Sequence, residues 1–255
     1  MFSHALVRVP CENFASGLTT SSRLGAPDHG LMLRQHDAYV EALRGLGLTV
    51  ITLPPEDAFP DAHFVEDVAV VTPEVAVITN PGAPARNGEQ TSVAPVLGRY
   101  KPLARIESPG FMDGGDVLLV DRRFFVGLSE RTNAEGVRQF AEIVGAHGYT
   151  VDAVPVEKGL HFKSGVNHVG GKTLLVTPDF AGLDVLAGYD LLVTPQGEEY
   201  AANTLLVNDA LITPTGFPGV RALIDGLGLR VIELDMSETQ KMDGGLTCLS
   251  LRFAV

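Results

Sequence analysis

The sequence predicts an α/β fold made of about five repeated units, each strand–strand–helix–strand, closed into a ring around a central cavity. Two recurring phrases predict it. In the first, glycines end a helix and a β-branched strand follows: Gly45-Leu46-Gly47-Leu48-Thr49-Val50-Ile51 returns as Gly145-Ala146-His147-Gly148-Tyr149-Thr150-Val151 and as Gly226-Leu227-Gly228-Leu229-Arg230-Val231-Ile232. In the second, two short apolar runs flank a turn, which is a hairpin pattern. Units of this length bury their apolar faces only against neighbours. A closed ring would set the hairpin ends around a cavity, within one domain over residues 1–255. An open α/β sheet with mixed strands is the weaker alternative.

Each element has its own reason. Amphipathic patterns place helices at about 31–44, 134–145 and 219–226, each ahead of one of the glycine phrases. The first hairpin pairs Val68–Val71 with Val75–Thr79 around Thr72-Pro73-Glu74. The second pairs Val117–Val120 with Phe124–Gly127 around Asp121-Arg122-Arg123. A third pairs Leu205–Val207 with Leu211–Thr213 around Asn208-Asp209-Ala210. Degenerate copies of the unit fall near residues 161–195.

Composition narrows the function. The chain is 45% hydrophobic and 20% charged, enough for a full core. With a net charge of −12 and no basic cluster among its 19 Lys and Arg, it is not expected to bind nucleic acid. That acidity suits a cationic small molecule, and it equally suits plain solubility. No apolar run approaches the roughly 20 residues that span a bilayer, so no membrane association is expected. Met1-Phe2-Ser3-His4-Ala5 does not open a secretory leader, and two cysteines make a disulfide framework improbable; a reducing cytoplasm is the expected compartment. Monomer and homodimer are both left open.

Several polar groups stand where chemistry could use them. Cys248 follows Gly244-Gly245-Leu246-Thr247 and is a candidate nucleophile, or a buried thiol capping the last strand. Glu66 and Asp67 precede an apolar strand, where two carboxylates need a cation or exposure. Asp113 precedes a glycine pair in Asp113-Gly114-Gly115-Asp116. His161 is a candidate base, with His168 its chief rival. Arg86 and Arg131 could each fork onto a carboxylate or sit in a surface ion pair. Paired Cys or His spacings, a phosphate-cradling glycine loop and a Gly-x-Ser-x-Gly elbow are all missing from the sequence, so neither a metal nor another cofactor is expected.

Taken in order, these motifs resemble dimethylarginine dimethylaminohydrolase. The likeness rests on Phe64–Val71, Pro81-Gly82-Ala83-Pro84-x-Arg86, Asp113–Val117 and Phe125-Val126-Gly127-Leu128-Ser129-x-Arg131-Thr132-Asn133. It continues in Leu160-His161-x-Lys163-Ser164 and Asp243-Gly244-x-Leu246-Thr247-Cys248. The resemblance implies the pentein fold, a five-bladed α/β propeller, and hydrolysis of Nω-methylated arginines to citrulline through a covalent intermediate on Cys248. It implies that His161 is the general acid and base, with Asp113 orienting it. It further implies that Glu66, Asp67 and the backbone carbonyl of Asp243 hold the guanidinium. Arg86 and Arg131 would hold the substrate's α-carboxylate, and Asp61 with the carbonyl of Leu18 its α-amino group. The segment around Ser16-Gly17-Leu18-Thr19 would be a lid. Two departures stand out: Asn167 replaces a frequent Ser, and Asp113 stands where some members have Glu. An arginine deiminase-like or other guanidine hydrolase is the alternative activity, although deiminases typically carry Asp where Lys163 stands. A non-catalytic pentein-fold binding protein is the remote one.

Overall fold

The computed structural model describes residues 1–255. Along the chain it forms β1 (His4–Arg8), α1 (His29–Gly45), β2 (Thr49–Leu53), β3 (Ala69–Val71), β4 (Ala76–Ile78), α2 (Gln90–Leu97) and β5 (Leu103–Arg105). Next come β6 (Val117–Val120), β7 (Arg123–Leu128), α3 (Ala134–Gly145), β8 (Thr150–Pro155), β9 (Val166–Gly170), β10 (Thr173–Val176) and β11 (Asp190–Val193). The last are β12 (Leu205–Val207), β13 (Ala210–Pro214), α4 (Pro218–Asp225), β14 (Arg230–Leu234), α5 (Ser237–Lys241) and β15 (Leu251–Phe253).

These strands make five three-stranded sheets: β15-β1-β2, β3-β4-β5, β6-β7-β8, β9-β10-β11 and β12-β13-β14. In every sheet the first two strands are antiparallel and the third lies parallel to the second. The parallel step needs a crossover, and four of the sheets use a helix for it. This is the expected five-bladed α/β propeller. Of the three predicted helices, α3 lies on the predicted residues, and α1 and α4 fall within two residues of them. Asp28 and Asn133 start α1 and α3 by accepting from the N–H of Leu31 and Gly136.

Two parts of the ring depart from the sequence pattern. The unit near 161–195 has its three strands, but a single 3-10 turn, Asp184–Leu186, replaces the crossover helix. Pro178, Gly182 and Gly188 interrupt that segment, which accounts for the missing helix. The other departure is β15-β1-β2, the blade that closes the ring: the C-terminal strand pairs antiparallel with the N-terminal one, Leu6 opposite Leu251. No local phrase announces that long-range pairing.

The core explains why the blades need one another. It divides into five hydrophobic clusters, one between each pair of neighbouring blades. Leu6 and Leu251 meet Ile78 in one, for example, and Phe125 meets Leu174 in another. No blade has an apolar interior of its own, as a stacked repeat requires. No helix is long and apolar enough to cross a membrane.

The candidate active site

A one-turn 3-10 helix precedes the first strand of each blade: Val65–Val68, Gly114–Asp116, Phe162–Ser164, Glu199–Ala202 and Thr247–Leu249. Glu66, Asp67, Asp113, His161 and Cys248 sit in or beside these turns, whereas Asp61, Arg86 and Arg131 come from other segments. Ring closure therefore brings together residues that lie far apart in the chain.

His161 is buried, and its Nε2 bonds Asp113 Oδ2 at 3.0 Å. Asp113 is fully buried; its Oδ1 accepts from Gly82 N at 2.9 Å. Burial alone would push the imidazole pKa down. The charge of Asp67, the hydrogen bond to Asp113 and the charges of Asp116 and Asp113 outweigh it and raise His161 to about 9. His161 is thus cationic near neutral pH.

Asp67 is held from two sides, accepting from Gly115 N at Oδ1 (2.9 Å) and from Arg86 Nη1 at Oδ2. Burial opposes its ionisation, but His161 and Arg86 hold its carboxyl below the usual range. The approach at Gly115 is close. A Cβ there would lie 2.6 Å from His161 Nδ1 and 2.7 Å from Asp67 Oδ1. Only glycine lets this turn touch both groups.

Arg86 is buried and committed within the protein. Nε and Nη2 fork onto Glu89 at 2.9 and 2.7 Å, and Nη2 also reaches the carbonyls of Asp61 and Phe64. With Asp67 on Nη1, one of the five N–H groups remains for a ligand. Arg86 is first a strut for Asp67. Arg131 is the freer guanidinium, with one loose contact to Asp113 Oδ2 at 3.7 Å.

Glu66 holds Lys163 Nζ at 2.6 Å and Arg252 Nη2 at 3.1 Å through Oε1. Its Oε2 is buried without a hydrogen-bond partner. Such an oxygen is costly to leave unpaired and marks a place for a donor.

Cys248 is half-buried, and its Sγ accepts from Gly245 N at 3.4 Å. Desolvation first, then the charges of Glu66 and Asp67, push its thiol up to about 12. The unliganded site therefore pairs a neutral thiol with a cationic imidazole.

Two small adjoining cavities, about 50 and 20 Å³, share His161, Asp243, Gly244 and Cys248 as walls. Glu66 and Lys163 line the first; Leu18, Asp61, Asp67, Arg86 and Arg131 line the second. Asp61 Oδ2 accepts from Leu18 N at 3.0 Å. Nine of the ten candidates thus line these cavities, and Asp113 stands behind them, bonded to His161. His168 stands apart: it lies on β9 with Nε2 on the carbonyl of Gly171 at 2.9 Å and lines a different cavity. Asp243 tethers the segment after Leu18: its carboxylate accepts from Thr20 N, Thr20 Oγ1 and Ser21 Oγ.

Asp67, Asp113 and His161 bring possible metal-ligand atoms within 4.8 Å of one another. All four carboxylate oxygens already accept from N–H donors of Gly115, Arg86, Gly82 and His161. That donor set fits an acid–base cluster better than a cation site.

Sequence reasoning missed Tyr200 and Asn203. Tyr200 donates to the carbonyl of Gly244 at 3.0 Å. Asn203 ties Lys163 O to Thr247, giving to Thr247 Oγ1 at 3.2 Å and accepting from Thr247 N at 3.0 Å. Its place just before the Leu205 strand matches that of Glu66 and Asp67 before theirs, a signal that superposing the units would have found.

A family model described as N,N dimethylarginine dimethylhydrolase, eukaryotic, matches residues 28–182. The chain is 42% identical to the N(G),N(G)-dimethylarginine dimethylaminohydrolase of Pseudomonas aeruginosa, over 99% of this chain and 100% of that one. It is 38% identical to the protein of the same name from Streptomyces coelicolor, over 97% and 96%. The solved structure of a cysteine-to-serine mutant of the Pseudomonas aeruginosa enzyme, complexed with citrulline, superposes with a TM-score of 0.97 at 41% identity, covering 99% of this chain and 100% of that one.

Proposed function

We propose, from the premise that this chain belongs to the dimethylarginine dimethylaminohydrolase family, that it hydrolyses Nω-methylated arginines to citrulline and a methylamine. The observation that carries this reading is the meeting of Cys248, the His161–Asp113 pair and the unpartnered Glu66 oxygen on one small cavity.

The guanidinium donates to Glu66 Oε2, and Asp67 adds negative charge beside it. Holding carbon and sulfur together supplies roughly 7–11 kcal/mol of the barrier. The cation also offsets the two carboxylates that hold the thiol proton on, so the thiolate forms in the complex and its proton passes to solvent, His161 being already protonated. Its Sγ attacks the guanidinium carbon. A methylamine cannot leave as an amide anion, so cationic His161 protonates the departing nitrogen as the tetrahedral adduct collapses. This leaves an S-alkylthiouronium on Cys248 and a neutral imidazole. His161 then takes a proton from water, which attacks the same carbon; as the second adduct collapses, its hydroxyl proton passes to the departing sulfur, so citrulline leaves with Cys248 as the resting thiol and His161 again cationic. Arg131 takes the α-carboxylate, with one N–H from Arg86; Asp61 and the Leu18 carbonyl take the α-amino group.

The test is citrulline release from dimethylarginine, monomethylarginine and arginine. The wild type should turn over the methylated substrates in preference to arginine, and Cys248→Ser should release none. Preference for arginine would move the activity to a deiminase, and an active serine variant would remove Cys248 from the chemistry. The apparent thiol pKa should also fall when a non-reacting guanidinium ligand binds; an unchanged value would reject thiolate formation in the complex.

A further inference from the structure

Asp116 closes the Asp113-Gly114-Gly115-Asp116 motif, yet no step above uses it. It is fully buried and has no ion-pair partner within 4.0 Å. Its Oδ1 accepts from Phe162 N, the residue after His161, at 2.8 Å. Its Oδ2 accepts from Ser129 Oγ and Thr132 Oγ1, each at 2.7 Å. These two hydroxyls flank Arg131: Ser129 Oγ also accepts from Arg131 N at 3.0 Å, and Thr132 Oγ1 from Asp113 N at 3.2 Å. One carboxylate thus fixes the turn that carries His161, the loop that carries Arg131 and, through Thr132, the backbone of Asp113.

The fold makes room for it. Gly127 on β7 passes so close that a Cβ there would lie 2.6 Å from Asp116 Oδ1 and 2.9 Å from Phe162 Cβ. Burying a carboxylate with only neutral hydrogen bonds is expensive, and an amide could fill the same space. Burial pushes the Asp116 carboxyl up, and the His161 cation together with the three donors works against that and favours the charged form.

We propose that Asp116 is a positioning residue of the reaction: it sets His161 and the Arg131 loop in register and supplies negative charge that keeps the imidazole protonated for leaving-group departure. This rests on the reading of His161 as the general acid. His161 is faced by Asp67 from the turn ahead of β3, by Asp113 and Asp116 from that ahead of β6, by Cys248 from that ahead of β15 and by Arg131 from the loop after β7. The paired Glu66 and Lys163 lie at the same cavity.

Asp116→Asn tests it, because the amide can still accept from Phe162 N while the two hydroxyls turn to receive its N–H groups. The variant's kcat on dimethylarginine should fall roughly tenfold to a hundredfold. The alkaline limb of its pH–rate profile should move down by roughly one unit. Ser129→Ala, a milder change, should lower kcat in part and leave that limb in place. Unchanged kcat and an unchanged limb in Asp116→Asn would overturn the proposal, whatever the variant's Tm. NMR titration of the His161 imidazole in the full chain, wild type against Asp116→Asn, reads the same charge without turnover. A lower imidazole pKa in the variant supports the proposal even if methylarginines are not the substrate, and an equal one overturns it.

Discussion

The central channel has two unlike ends. At one, five 3-10 turns crowd ionisable groups around cavities of about 50 and 20 Å³. At the other, the first strands of all five blades line a cavity of about 600 Å³, with side chains such as Val70, Leu119, Leu206 and Phe253. Glu66, Lys163 and Arg252 form the polar floor between them. In the proposed mechanism the chemistry belongs to the cramped end. Size alone would have pointed to the roomy one, which gathers no nucleophile and no His–carboxylate pair. What marks the site is the burial of charges that only a ligand or a neighbouring charge can justify.

The sharpest way to break this contrast is His161→Ala. Turnover should fall by roughly 10²–10⁴-fold, measured as citrulline release. The substitution also has a pH signature. The folded-state pKa of His161 is raised, from the usual 6.5 to about 9. Its contribution to stability is therefore complete below pH 6.5 and lost as pH rises through 9. Denaturant unfolding of the wild type should show that loss, and His161→Ala should not. Equal pH dependence in both would mean that the imidazole is not held as a cation.

Gly115→Ala should have the next largest effect. One added methyl would press on His161 Nδ1 and Asp67 Oδ1 together, and both are fixed by buried partners. Displacement of this kind costs about a hundredfold in rate. Steady-state kinetics should show it chiefly in kcat/KM. A variant as fast as wild type would mean that the cramped end tolerates more motion than its packing implies.

Much of this was legible from the residues, for a physical reason. The helix-ending glycines and the hairpin turns are local signals, so the predicted hairpins and helices stand where the pattern put them. His161, Asp113 and Cys248 were candidates from their local motifs, and their roles came from the resemblance carried by those motifs in order. Their convergence was not a local property; it follows from ring closure. The closing pair β15–β1 joins the two ends of the chain, and nothing near Leu6 announces Leu251. The commitment of Arg86 to Asp67 and Glu89 was equally hidden, since Glu89 belongs to none of the motifs read from the sequence. Asp116 was in plain view within its motif, but its three donors come from segments 13 to 46 residues away.

The smallest expected effect is the most diagnostic of the contrast. His168 was the rival base on sequence, and it lies only seven residues from His161. A strand alternates its side chains between two faces, so a short separation in the chain says little about a shared site. In the structure His168 stands at the roomy end, bonded to the Gly171 carbonyl in its own hairpin and lining the large cavity with Leu205 and Leu206. No carboxylate accepts from its ring. His168→Ala should leave kcat and KM within about twofold of wild type and cost at most about 1 kcal/mol of stability for the lost hydrogen bond. Citrulline assays on His161→Ala and His168→Ala side by side decide the matter. Were His168→Ala inactive and His161→Ala active, the general base would sit across the Glu66–Lys163–Arg252 floor from Cys248. The two ends would then work as one site, and the floor would have to open during each turnover.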